Sequence, residues 1–293
     1  LRDLRNDLGQ TFGTKKAKKA IASVTENAIS PDKSLRAQAN GEKGVKLSSA
    51  DAAMIANMAE ATKGMASRGE LAKAADAGKP RPKANEDARN IKDVYTIDSL
   101  IGMDIFKAVP VKKWEDDLKA GKQIFTSSQY VSGRIQNASG NVEKLRLLRY
   151  LLVLLNLHGA CRPQRGSMML PRREEIGKIL DGVPEPVFES IKRKFASGPT
   201  MSKYQVDLMI THICAMACVI DNFEVDTWPL KEDLKLETKQ IQQYFQEIGA
   251  KIYSLGEVER RKQGLEKAAA AQHKVARLKL PLEFPKVSFG RRK

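Results

Sequence analysis

Residues 142–157 read VEKLRLLRYLLVLLNL, followed by PRREEIGKIL at 171–180, DGVP at 181–184 and EPVFESIKRKFA at 185–196. In the first stretch Leu145, Leu148, Leu152 and Leu155 fall on one helical stripe with further leucines around it, which predicts a nearly buried helix. Ile176, Ile179 and Leu180 mark a shorter helix, and the Gly182–Pro184 turn breaks it. Val187, Phe188, Ile191 and Phe195 then recur at spacings of one, three and four, giving a third helix that Gly198-Pro199 stops. A supporting helix, a second helix, a short Gly-containing turn and a third helix form the outline of a helix-turn-helix. The polar face of the third helix carries Lys192, Arg193 and Lys194.

The same order follows again. Ser202-Lys203-Tyr204-Gln205 reads as a capping box opening a helix through about Ile220, made strongly apolar by Leu208, Ile210, Ile213, Met216 and Ala217. Trp228-Pro229 precedes a short helix over residues 230–235. A longer one is expected over 238–254, with Ile241, Phe245, Ile248 and Ile252 on one face and Lys239, Gln240, Gln243 and Lys251 on the other. A charged helix is expected over 257–274. Beyond it Leu278, Leu280, Leu282 and Phe284 alternate with Lys279, Pro281 and Glu283, the pattern of a strand that Pro281 confines to a sheet edge. An edge strand after three helices is what a wing looks like. The expected fold is therefore mainly α with small β wings: a tandem winged-helix domain, its first unit at 91–200 and its second at 201–293 with a basic tail.

Residues 1–90 differ in composition. They hold 17 basic and 11 acidic residues and a single aromatic, Phe12, and they end near Gly78-Lys79-Pro80-Arg81-Pro82. Such a stretch cannot build its own core and reads as a basic linker, extended with helical pieces. One piece is 15–29. Another is 49–65, where Met54, Met58, Ala61 and Met65 form a narrow apolar stripe. A helix this weakly amphipathic either frays or docks on a partner.

The 293 residues carry 51 Lys+Arg against 35 Asp+Glu, a net +16, with 42% hydrophobic residues. That is enough apolar material for a core, and the surplus favours an anionic partner. No apolar run reaches the roughly 20 residues of a membrane span. Leu1 is not Met and the first residues have no signal-peptide character, so the chain reads as part of a longer one. Three cysteines cannot make a disulfide framework and fit a reducing compartment. The Gly9–Lys15 stretch has the wrong glycine spacing for a phosphate loop and no strand before it. His212, Cys214 and Cys218 lack a second ligand pair and sit in an apolar helix, so they read as core residues and no metal is expected. No hydrolase motif occurs, and the carboxylates are interleaved with lysine and arginine as on solvated faces. No catalytic residue and no cofactor are assigned, and the chain is not expected to be an enzyme.

Nucleic-acid binding has the most support, because basic residues gather where a winged helix meets phosphates. The candidates are Lys192, Arg193 and Lys194 in the first unit. In the second they are Lys203, Lys239, Lys251, Lys274, Arg277 and Lys279, trailed by Arg291, Arg292 and Lys293. Lysine outnumbers arginine in the second unit, which favours backbone contact over base reading. The rival reading is a protein-interaction scaffold, with Met54, Met58 and Met65 docking in a groove and the charge serving an acidic protein surface.

Three stretches carry a family resemblance. Residues 8–21, LGQTFGTKKAKKAI, resemble the hallmark of the larger subunit of the TFIIF/TFIIE-like heterodimer of eukaryotic RNA polymerase I. Residues 278–285, LKLPLEFP, resemble that family's last strand, and residues 91–114, with Tyr95, Pro110, Val111 and Trp114, fit the entry to its globular part. The resemblance implies a non-catalytic polymerase I subunit in the nucleus and nucleolus. Its tandem winged helix would bind double-stranded DNA without sequence preference near the upstream cleft, and its linker would cross the cleft and help hold the clamp closed. It also implies support for initiation and processive elongation of ribosomal RNA transcription. The polymerase I core would be one partner and the smaller heterodimer subunit another. The latter binds through an N-terminal barrel that precedes this sequence in the family.

Overall fold

A computed structural model describes residues 68–180, 182–256 and 272–285, together with residues 11, 13–19, 57, 260, 261, 264, 266 and 270. The chain divides into two compact units, Leu1–Ser67 and Arg68–Lys293. In the first, residues 15–19 are helical, and Thr14 receives the Lys18 N–H on its carbonyl and the Ala17 N–H on its hydroxyl. The expected helix at 15–29 is otherwise outside the described residues, as are Met54, Met58 and Met65.

The second unit is mainly helical with two small antiparallel sheets. Its elements are α1 (Arg68–Ala77), α2 (Ile97–Leu100), α3 (Met103–Ala108), α4 (Lys112–Lys119), α5 (Gln129–Ile135), α6 (Val142–Ala160), β1 (Arg162–Gln164), β2 (Ser167–Met169), α7 (Arg173–Leu180) and α8 (Glu185–Phe195). There follow β3 (Thr200–Ser202), α9 (Lys203–Ile220), β4 (Glu224–Asp226), α10 (Trp228–Leu234), α11 (Thr238–Glu247), β5 (Ala250–Ser254) and β6 (Lys274–Leu278). The unit opens at Arg68, so residues 68–90, linker by composition, belong to it.

At the centre α6 packs against α9. Both are buried nearly all round, as the leucine-rich and Ile/Met/Cys-rich sequences require. Around α6 lie α3, α5, α7 and α10; α9 is flanked by α8 and α11. One continuous core runs from Val94 to Leu278 through both helix sets. The capping box at Ser202 and Gln205 is present as the sequence predicts. Although α9 is apolar enough in composition to cross a membrane, it is mostly buried here as a core helix.

The sheets have strand orders β1-β2-β3 and β4-β6-β5. Three sequence expectations change here. The helix expected over 238–254 ends at Glu247, and Gly249, at φ +87°, turns the chain into β5. An apolar face at helical spacing continues through Ile252, but backbone pairing with β6 overrides it. The expected strand at 278–284 lies earlier: β6 is Lys274–Leu278 and occupies the sheet centre, where both edges of the strand are paired. A central strand cannot include Pro281, so the chain leaves the sheet before it, and Leu280 and Leu282 pack on the core as a non-strand segment. Finally, Lys274 opens β6 rather than closing a helix; most of 257–271 is outside the described residues.

His212 lies in α9 with its Nδ1 2.7 Å from the Leu208 carbonyl and its ring edge-on to Phe195. Burial, helped by the Lys194 charge, pulls its imidazole down to about 3. The unfolded chain therefore takes up a proton below about pH 6.5 that the folded chain refuses, and stability present above that pH is lost as pH falls towards 3. Urea unfolding should show up to about 2 kcal/mol lost from this group between pH 7 and pH 5, and His212→Leu should flatten that part of the curve.

Candidate nucleic-acid interface

The first helix set offers α8. Pro184 and Pro186 start it and its apolar face, Val187, Phe188, Ile191 and Phe195, is buried, so its basic last turn is thrown outward. Arg193 is exposed, and Lys192 is half-exposed and 3.8 Å from Glu189. Lys194 differs. Its Nζ donates to the Leu100 carbonyl at 2.6 Å, tying α8 to α2, and burial holds its ammonium below the usual lysine range.

The second set offers α11 and the outer face of the β4-β6-β5 sheet. Lys239 is exposed in the first turn of α11, after a capping box formed by Glu237 and Gln240. Lys203 is exposed at the start of α9 and lines a cleft of about 650 Å³ with Asp207, Gln240 and Gln243. Val225, Ala276, Leu278 and Ala250 face the core, which turns Glu224, Arg277 and Lys251 outward in one cross-strand row. Arg277 donates to Glu224 at 2.6 Å and Lys251 pairs with Glu283 at 3.0 Å. Arg277 and Lys279 also approach the ring of Tyr253, at 5.4 and 5.6 Å, and Tyr253 stays partly exposed beside these two cations. Lys274 donates to the Ser254 hydroxyl at 3.0 Å at the far end of β6. The structure thus brings Lys251, Arg277 and Lys279 together. Arg291, Arg292 and Lys293 lie outside the described residues.

Sequence reading missed a basic hairpin. β1 and β2 are joined by Arg165-Gly166, both at positive φ, a two-residue turn of the kind that matches strand twist. Arg165 is exposed at its tip, Arg162 bridges to Glu175 on α7 at 2.8 Å, and Arg172 is exposed beyond β2. The signal was Arg165-Gly166 itself, but three-residue strands leave too little alternation to read.

Elsewhere the polar residues serve structure. Cys214 and Cys218 are fully buried, and burial pushes both thiols up. Among the described residues no group of His, Cys, Asp and Glu could hold a metal ion.

A family model for "A49-like RNA polymerase I associated factor" matches residues 1–285. The chain belongs to that family. It is similar to the DNA-directed RNA polymerase I subunit rpa49 of Schizosaccharomyces pombe, 28% identical over 296 residues, which cover 98% of this chain and 66% of that protein. It is likewise 28% identical over 301 residues to the subunit RPA49 of Saccharomyces cerevisiae, covering 97% of this chain and 68% of that one. The chain thus spans about two thirds of the length of these relatives.

Lys194→Ala removes a charged hydrogen bond and should cost about 1.5–3 kcal/mol in denaturant unfolding, whereas Arg193→Ala should stay within about 0.5 kcal/mol of the parent.

Proposed function

We propose that the chain is a non-catalytic subunit of RNA polymerase I whose folded unit is a pair of winged helices lying on duplex DNA through its phosphates. The observation that carries this reading is the repeated order of elements. α6, β1, β2, α7, α8 and β3 are followed by α9, β4, α10, α11, β5 and β6, so a long helix, β structure, two helices and further β structure recur, and each set presents a third helix with basic residues on its exposed face. Family membership supports the assignment to polymerase I, since both relatives are named as its subunits.

On this reading Lys192 and Arg193 approach phosphates from the first set, and Lys203, Lys239, Lys251, Arg277 and Lys279 from the second. Arg165 on the hairpin adds a contact absent from the sequence-based set. Lys194 and Lys274 act mainly by fixing the elements around them. The subunit associates with the polymerase core in the nucleus, and in the nucleolus supports initiation and elongation of ribosomal RNA transcription. The smaller heterodimer subunit is a further partner on this reading. A scaffold reading is favoured by two features: Arg277 and Lys251 already have carboxylate partners, and Phe125 is 81% exposed beside Trp114 and Ile124, as at a protein contact.

Fluorescence anisotropy of the full chain on unrelated duplexes across a salt series separates the two. Similar affinities falling linearly in a log–log plot are expected, and Lys239→Glu with Lys279→Glu should shallow the slope by about two. No binding at low salt would leave the scaffold reading alone.

A further inference from the structure

The LPLEFP segment at 280–285 is not part of a sheet, yet it is seated. Leu280 and Leu282 pack on the core. A Cβ at Gly249 would come within 3.3 Å of both Leu282 and Phe284, so the segment lies directly across the α11–β5 turn, where only a glycine leaves room.

Residues 76–82, some 200 positions earlier, lie against it. The Arg81 guanidinium sits 3.9 Å over the Phe284 ring and pairs with Asp76 at 2.6 Å. Lys79 reaches three oxygens: the Pro285 carbonyl at 3.0 Å, Glu247 at the end of α11 at 3.0 Å, and Asp76 at 3.4 Å. The Pro80 carbonyl accepts from the Thr211 hydroxyl of α9 at 2.9 Å. Pro80 and Pro82 have no N–H to join a ladder, so side-chain contacts and packing do much of the work of holding this stretch. Lys79 and Arg81 are only 19% and 11% exposed, which makes these contacts stronger than surface ion pairs.

We propose that residues 280–285 are a strap that locks residues 76–82 onto the end of α11, so that the anchoring of the start of the folded unit is controlled from its C-terminal segment. With the strap seated, α1 and residues 78–82 belong to the folded unit. With the strap displaced, the Phe284 and Pro285 contacts of Arg81 and Lys79 go together, leaving Glu247 and Thr211 to hold 76–82, which then opens locally more often while the α6–α9 core stays intact. A ligand that takes Phe284 for itself would thereby loosen residues 76–82, and one that orders 76–82 would hold the strap down, because such coupling is reciprocal.

Hydrogen exchange on the full chain, read on peptides covering 76–86 and 279–286, tests this. Phe284→Ala should speed exchange in 76–86 about tenfold, the size of one partly desolvated cation–π contact, leaving α6 and α9 protected. Arg81→Gln should speed exchange in 279–286 in return. The double variant should open 76–86 no further than Phe284→Ala alone. Unchanged 76–86 in Phe284→Ala, unchanged 279–286 in Arg81→Gln, or effects that multiply in the double variant would each overturn the proposal.

Discussion

Everything in the folded unit hangs on the contact between α6 and α9. Each is a long helix with most of its surface buried, so neither can exist without the elements around it. A fully buried large apolar side chain is worth about 1.5–3 kcal/mol, and α6 alone buries eight leucines. Because α6 carries α7 and α10 while α9 carries α8 and α11, each central helix holds elements of both sets, and the two sets share one core rather than hanging on a flexible joint. Basic residues carried on the two sets therefore keep a fixed spacing.

Apolar packing sets the energy but leaves registers open, and a few polar ties close them. Asp233 on α10 accepts from the Ser128 hydroxyl at 2.5 Å and from the Gln129 and Tyr130 N–H groups at 2.8 and 3.0 Å, so a carboxylate from another helix meets the positive end of α5. Arg134 grips Asp221 with two nitrogens at 2.6–2.8 Å and lies 3.6 Å over Tyr130, whose hydroxyl donates to the same carboxylate at 3.0 Å. Tyr95, fully buried, donates to the Ile248 carbonyl at 2.9 Å and ties the start of the unit to the end of α11. These groups account for acidic and aromatic residues that composition alone could have assigned to a site.

Much of the architecture was legible in the sequence because it rests on local rules. The leucine stripe of α6, the Ser202–Gln205 cap and the Gly182–Pro184 break each act within a few residues, and each appears where it was expected. Less legible were the pieces whose state depends on a distant strand. Residues 250–254 carry on the helical pattern of α11 yet pair with β6. Leu278, Leu280 and Leu282 alternate like a strand yet leave the sheet at Leu278. The β1–β2 hairpin is too short to show a period at all.

For the candidate interface the division is similar. The sequence by itself determined a strongly basic, mainly helical chain with two helix-turn-helix outlines and membership of a polymerase I family, since charge, helical period and motif spacing are properties of neighbouring residues. Only the tertiary structure decided which cations face solvent. Lys194 turns in to Leu100 while Arg193 beside it turns out, and Arg277 comes opposite Lys251 and, with Lys279, beside Tyr253 only because β5 and β6 pair. It also decided that Arg81 and Phe284 touch. Such contacts join residues far apart in the chain, and they are fixed by the shape of the shared core, which no local pattern encodes.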